Sequence, residues 1–136
     1  GVTKTGPWNQ LGNQIAASTS GLLGSSVSLS SDGTILAVGA YRHSSNTGYV
    51  KIYKYDGSSW NALSVDSSIS TTVDSEDAIE GTSDAYFGIS VSLSEDGNIF
   101  FTKQNKKKVS IIRCNKSKKY HKVNINEFLL SENTML

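Results

Sequence analysis

The chain has 136 residues, a formal net charge of +1 and one proline, and 37% of its residues are hydrophobic. That length suits one ordinary domain with its own core. No apolar run approaches the roughly 20 residues that a transmembrane helix needs. Cys114 is the lone cysteine, which excludes an internal disulfide or a cysteine-based zinc site.

Charge is divided unevenly along the chain. Residues 1–102 hold four basic and ten acidic side chains, a net charge of −6, whereas residues 103–136 hold nine basic and two acidic ones, a net charge of +7. The composition changes at the same place, from Ser, Gly and Asp to Lys, Asn and Ile. These shifts indicate a boundary near residue 103.

One segment occurs twice. Residues 23–35 return 64 residues later as residues 87–99, and most of the paired positions are identical. Repetition at a fixed spacing indicates one supersecondary unit used at least twice, and such a unit buries its apolar face only against a neighbour.

The first copy predicts four strands in succession. Its strand-length segments alternate polar and apolar residues or form a short apolar run, and Asp-Gly pairs at 32–33 and 56–57 are hairpin signals. The second copy is divergent, although residues 109–115 keep the alternation of residues 50–56. The strands predicted for the first copy are 26–30, 34–38, 48–55 and 60–63.

Four antiparallel strands per repeat is the composition of a propeller blade. We therefore predict an all-β fold made of tandem four-stranded antiparallel blades of a partial β-propeller; the alternative is a β-sandwich or barrel of the same strands. The predicted units are the end of a preceding blade with a linker strand (1–22), a complete blade (23–63), an acidic and polar linker insertion (64–86), a divergent second blade (87–125) and a C-terminal tail (126–136), in which residues 126–130 suit a short helical turn.

The glycine, valine and aromatic positions of the first copy carry a family resemblance. Leu23-Gly24 with Val27, then residues 36–40 and residues 48–53, resemble the FG-GAP repeat of integrin-alpha-type β-propellers, and Phe87-Gly88 supplies the Phe-Gly of that name. The resemblance covers about residues 1–102 and continues in divergent form to about residue 125.

The resemblance implies a non-catalytic repeat module for protein–protein or ligand binding, or a scaffold, in a larger extracellular or cell-surface protein. Its partner would be a protein or a glycan. Propellers bind through the loops at their blade ends, so residues 41–47 and 64–86 are the expected contact segments. Closed propellers have about four to eight blades, so we expect further blades in a longer chain, or self-association through the N-terminal side.

Metal and catalytic sites are not predicted. Calcium-binding FG-GAP loops carry several carboxylates, whereas the matching turns here have one, Asp32, or two, Glu95 and Asp96. The acidic stretch 74–80 could collect a cation weakly, but it is better interpreted as a solvated insertion. The two histidines, His43 and His121, lie in polar segments without a nucleophile motif, so we expect no enzyme and no cofactor.

The Lys-rich segment 103–122 supplies the alternative function, a binder of anionic surfaces or nucleic acid. Tyr120 is its one aromatic residue, which disfavours stacking on single-stranded bases. Residues 115–117 form a glycosylation sequon, meaningful only in a secreted chain. The strand aromatics are expected to pack in the core or between blades; they are Tyr49, Tyr53, Tyr55 and Trp60.

Overall fold

A computed structural model describes residues 7–18, 20–82, 84–104, 109–114 and 119–123. It is all-β apart from a short helical turn, α1 (His43–Asn46). The strands are β1 (Ser26–Leu29), β2 (Ile35–Ala40), β3 (Tyr49–Tyr55), β4 (Trp60–Ala62), β5 (Ser70–Val73), β6 (Glu76–Glu80), β7 (Ser90–Leu93), β8 (Ile99–Lys103), β9 (Val109–Cys114) and β10 (Tyr120–Val123). The proposed helical turn at 126–130 lies outside the described residues.

The strands form two antiparallel sheets. The first has the order β1-β2-β3-β6-β5, with β4 also paired to β3, and the second has the order β10-β9-β8-β7. The predicted strands of both repeat copies are confirmed, each as a four-stranded meander (β1 to β4 and β7 to β10). The barrel alternative is wrong, because among the described residues no ladder joins the two sheets into a closed ring.

The segment predicted as a polar insertion is more ordered than its composition suggests. Strands β5 and β6 form a hairpin, and β6 joins the first sheet through the pairs Tyr49↔Glu80 and Val50↔Ile79. Ala78 and Ile79 are fully buried in it. Because neighbouring strand residues point to opposite faces, Ile79 packs in the main core, whereas Ala78 packs with Ala40, Tyr49 and Val73 on the other face of the sheet.

Small residues allow the second sheet to approach the first. Gly39 in β2 faces the backbone of Gly88, whose carbonyl oxygen accepts a hydrogen bond of 2.7 Å from Ser26 Oγ. Leu93 donates its backbone N–H to Ser28 Oγ at 2.9 Å. A Cβ at position 39 would clash with the Gly88 carbonyl, so close contact here requires glycine.

The main core lies between the two sheets. Residues of β2, β3 and β6 meet residues of the second sheet and of the segment just before it, and Tyr120 donates its hydroxyl to the carbonyl of Gly97 at 2.7 Å. The buried members of this core are Ala37, Val50, Ile52, Val65, Ile79, Phe87, Phe100, Ile112 and Tyr120.

Candidate binding surface

The two segments predicted as contact loops lie side by side at one end of the first sheet. Tyr86 and Phe87 donate their backbone N–H groups to the carbonyls of Asn46 and Thr47, at 2.8 and 3.1 Å. Gly81 donates to Gly48 at 3.0 Å. Residues 41–47 and the last part of 64–86 therefore form one continuous surface, which we call the loop surface.

Two tyrosines and an arginine occupy the loop surface. The rings of Tyr41 and Tyr86 have centroids 6.1 Å apart and an interplanar angle of 31°. The guanidinium carbon of Arg42 lies 5.7 Å from the centre of the Tyr41 ring. Both tyrosines are partly exposed and Arg42 is exposed. Tyrosine and arginine dominate the energetics of many protein interfaces, because each offers a large contact area together with hydrogen bonding.

Unusual backbone conformations concentrate in these segments. Of the eight non-glycine residues with positive φ in the described part of the chain, only Leu22 lies outside them. Two of the others, Asp74 and Ser75, form the hairpin turn between β5 and β6, where positive φ at both residues is the usual geometry. The remaining five are Ser44, Ser45, Asn46, Asp84 and Tyr86.

Tyr86 is the most informative of these five, since a bulky residue rarely adopts a φ of 53°. Such a conformation costs on the order of 1–3 kcal/mol and persists only where the surroundings impose it. The hydrogen bond to Asn46 and the ring contact with Tyr41 are the constraints that hold it. These two contacts therefore fix the position of the aromatic ring on the loop surface.

A charged network with a buried lysine lies between β3 and β6, the strands that lead to the loop surface. Lys51 is fully buried, and its Nζ donates a 2.8 Å hydrogen bond to Glu76 Oε1, which also accepts one of 2.8 Å from the Tyr53 hydroxyl. Burial raises the pKa of Tyr49 to about 12, with the charges of Asp74 and Glu76 adding to the effect. Burial, followed by the Glu76 hydrogen bond, raises the pKa of Tyr53 further. These groups connect β3 to the β5–β6 hairpin.

The acidic stretch does not gather its carboxylates at one point. Asp74 accepts hydrogen bonds from the Ser18 hydroxyl and backbone, Asp77 accepts one of 3.0 Å from the Val65 N–H, and Glu80 lies 3.9 Å from His43 Nε2. Throughout the described ranges, no three His, Cys, Asp or Glu side chains are placed to hold a metal ion. The carboxylates here hold loops and strands in place.

The two matching Asp-Gly turns use their carboxylates internally. Asp32 accepts hydrogen bonds from the Ser30 hydroxyl and from both the N–H and the hydroxyl of Thr34. Asp96 accepts the equivalent bonds from Ser94 and Asn98. The hydrogen bond from Thr34 is the main cause that lowers the pKa of Asp32, and the hydrogen bond from Asn98 is the main cause for Asp96. The turns are therefore closed by side chains that hydrogen-bond their own backbone.

The remaining sequence candidates are spread over the second sheet. Lys103 ends β8 and Lys122 lies in β10, with its Nζ 5.6 Å from the centre of the Phe87 ring. The lysines at 106–108, 116 and 118, and the sequon at 115–117, lie outside the described residues. The predicted packing of aromatics is confirmed for Tyr49 and Tyr53, which are buried. The ring centroids of Tyr55 and Trp60 lie 5.2 Å apart, so these two side chains pack against each other.

A separate cleft of about 620 Å³ lies beside the turn between β7 and β8. Glu95, Asp96, Arg113 and Cys114 are among its lining residues, so it carries charges of both signs. The Asp96 carboxylate is already engaged by its own turn. The charged side chains that line the cleft are therefore of both signs, and they do not form a cluster of one charge that would select a ligand of the opposite charge.

The sequence analysis did not identify Lys51 as a buried residue, because a charged lysine side chain is normally expected in solvent. The alternation of β3 could have indicated this burial, because Lys51 shares a strand face with Tyr49 and Tyr53, which were both predicted to pack. Gly39 follows directly after the predicted strand 34–38, and no local sequence pattern indicates that it permits the contact between the sheets.

Neither a protein-family model, nor a curated protein, nor a solved structure matches the chain. Among the described residues, no helix has the length and apolar character needed to cross a bilayer.

Proposed function

We propose that the chain is a non-catalytic repeat module of the β-propeller type, in which each four-stranded meander is a blade. The loop surface at the blade ends binds a protein or glycan partner. By its resemblance to FG-GAP repeats, the module belongs to a larger surface or secreted protein. The observation that carries the proposal is the meeting of the two predicted contact segments, with Tyr41, Arg42 and Tyr86 grouped on them.

The geometry supports binding because the loop surface is preorganised. The Tyr86 backbone is held in a strained conformation, and the hairpin beneath is anchored by Lys51 and Glu76. A partner that binds a rigid surface does not have to order it, so less binding free energy is lost. Tyrosine rings can contact either apolar protein side chains or the faces of sugar rings, so both partner classes remain in the proposal.

The test uses the full chain against immobilised extracellular-matrix proteins and an array of glycans. We expect binding to at least one of these probes, reduced at least about tenfold by Tyr86→Ala and by Arg42→Ala, in line with hot-spot truncations of more than about 1.4 kcal/mol. Lys54→Ala, an exposed cation at the far end of β3, is the matched control. Binding that is insensitive to both loop variants, or no binding to either probe set, would contradict the proposal.

The alternative function, binding of anionic surfaces or nucleic acid through residues 103–122, is separated by a salt titration. Each phosphate contact releases counterions, so binding to duplex DNA would weaken steeply as salt rises. Binding through the loop surface predicts a shallow dependence, because its contacts are mainly aromatic.

A further inference from the structure

The charged side chains of the loop surface supply hydrogen-bond donors and acceptors together. Arg42 is exposed, and it forms no ion pair or side-chain hydrogen bond with another residue of the described ranges. Asp84 is also exposed, has no such partner within those ranges, and lies two residues before Tyr86. A guanidinium only donates hydrogen bonds and an ionised carboxylate only accepts them, so a ligand of this surface meets both kinds of group.

Backbone groups of the residues that carry the surface already have partners. Tyr86 donates its N–H to the Asn46 carbonyl, and its own carbonyl accepts a hydrogen bond of 3.1 Å from the Ile89 N–H. Arg42 donates its N–H to the Gly21 carbonyl at 3.2 Å. A peptide that binds by strand addition needs a row of free backbone groups. Tyr86 and Arg42 do not offer such an edge, so recognition here depends on side chains.

The apolar part of the loop surface consists of tyrosine rings. Residues 41–47, 80–82 and 84–87 include no exposed large hydrophobic side chain. A protein interface usually has a core of apolar side chains that is removed from water. Tyr41 and Tyr86 instead present two partly exposed rings whose positions are fixed by their mutual contact. The C–H face of a sugar ring packs on such aromatic rings, and its hydroxyl groups remain free to reach polar side chains.

We infer that the loop surface binds an uncharged glycan, one of the two partner classes of the proposed function on which this inference rests. A sugar hydroxyl both donates and accepts hydrogen bonds, so one glycan can accept from Arg42 and donate to Asp84 while a ring packs on the tyrosines. An acidic ligand would pair with Arg42 but would meet the like charge of Asp84. The net charge of −6 over residues 1–102 also disfavours it.

Binding of the full chain to an array of neutral, sialylated and sulfated glycans tests the inference. We expect binding to neutral glycans, competed by at least one of free mannose, galactose and N-acetylglucosamine. Tyr41→Ala and Asp84→Ala should each weaken it about tenfold, since each removes a contact with the sugar. Tyr55→Ala, at the far end of β3, is the matched aromatic control and should leave binding unchanged. Thermal unfolding checks that each variant is folded.

The charge of Asp84 separates neutral from acidic ligands. Asp84→Asn replaces an ionised acceptor with a weaker neutral one, so it should weaken the binding of a neutral glycan. An acidic ligand would bind this variant more tightly, because the like charge is gone. Tighter binding to Asp84→Asn, or binding confined to sialylated or sulfated glycans, would overturn the inference.

Matrix proteins separate this inference from the proposed function. Any binding to them should disappear once their glycans are removed enzymatically. Binding that survives deglycosylation and is weakened by Tyr41→Ala would overturn the glycan inference and leave the proposed function standing. Binding that Tyr41→Ala does not change, or no binding to any glycan or protein, would overturn both.

Discussion

Removing Glu76 should destabilise the protein strongly, because it leaves Lys51 without its carboxylate in a fully buried site. Breaking one side of a buried ion pair costs about 3–5 kcal/mol. The Glu76 side chain is 34% exposed, so water can reach the vacated position and the lower end applies. Loss of the hydrogen bond from Tyr53 adds to the effect. We expect Glu76→Ala to lower the free energy of unfolding by about 3 kcal/mol.

Urea unfolding followed by circular dichroism measures this change, and the loss corresponds to a fall in Tm of roughly 10 °C for a chain of this size. Glu80→Ala is the matched control on the same strand, since its contact with His43 at 3.9 Å is longer and it should cost under about 1 kcal/mol. The double variant Lys51→Met with Glu76→Ala should recover much of the loss, because no buried charge remains. If Glu76→Ala unfolds at the same urea concentration as the unchanged protein, the buried pair does not anchor the hairpin.

Excess calcium and a chelator should give nearly the same Tm, because the Asp32 and Asp96 carboxylates are engaged in their own turns; a shift of many degrees would show native-state binding instead. Backbone amides of β9 should be protected from hydrogen exchange nearly as well as those of β3, and fast exchange of β9 alone would show that it is not a stable strand. Acidification should reduce stability: the pKa values of Asp32, Asp74 and Asp96 are lowered in the folded state, so their contribution is present above the ordinary value of 3.8 and lost as the pH falls through the folded values. Urea midpoints that do not change between pH 6 and pH 2 would contradict this assignment.

The strands of both repeat copies could be predicted because local pattern determines them. Alternation in residues 26–30 and the Asp32-Gly33 turn define a hairpin without any long-range information. The β5–β6 hairpin could not be predicted in this way. Its residues are mostly Ser, Thr, Asp and Glu, and its burial depends on pairing with β3, about 25 residues away in sequence. The composition of this segment indicated a loop, but its tertiary contacts with β3 stabilise a strand instead.

The loop surface was predicted in part. The resemblance to propeller repeats pointed to residues 41–47 and 64–86, but it did not pair Tyr41 with Tyr86 or give Tyr86 a positive φ. Those features depend on backbone hydrogen bonds between segments some 40 residues apart. No local sequence pattern predicts such bonds.

The second repeat copy packs on the first through their matching turns and strands. Ser31 and Glu95 lie in those turns, and the Ser31 N–H donates to the Glu95 carbonyl at 2.9 Å, so their backbones are adjacent. In a Cys114→Ser background, Ser31→Cys with Glu95→Cys should form a disulfide under mild oxidation and raise Tm. The pair Val27→Cys with Glu95→Cys should not form a disulfide, because Val27 faces the opposite side of the sheet. Mass spectrometry of the oxidised proteins decides it: a cross-link in the first pair alone is the predicted result, and no cross-link, or equal cross-linking in both pairs, would contradict the packing.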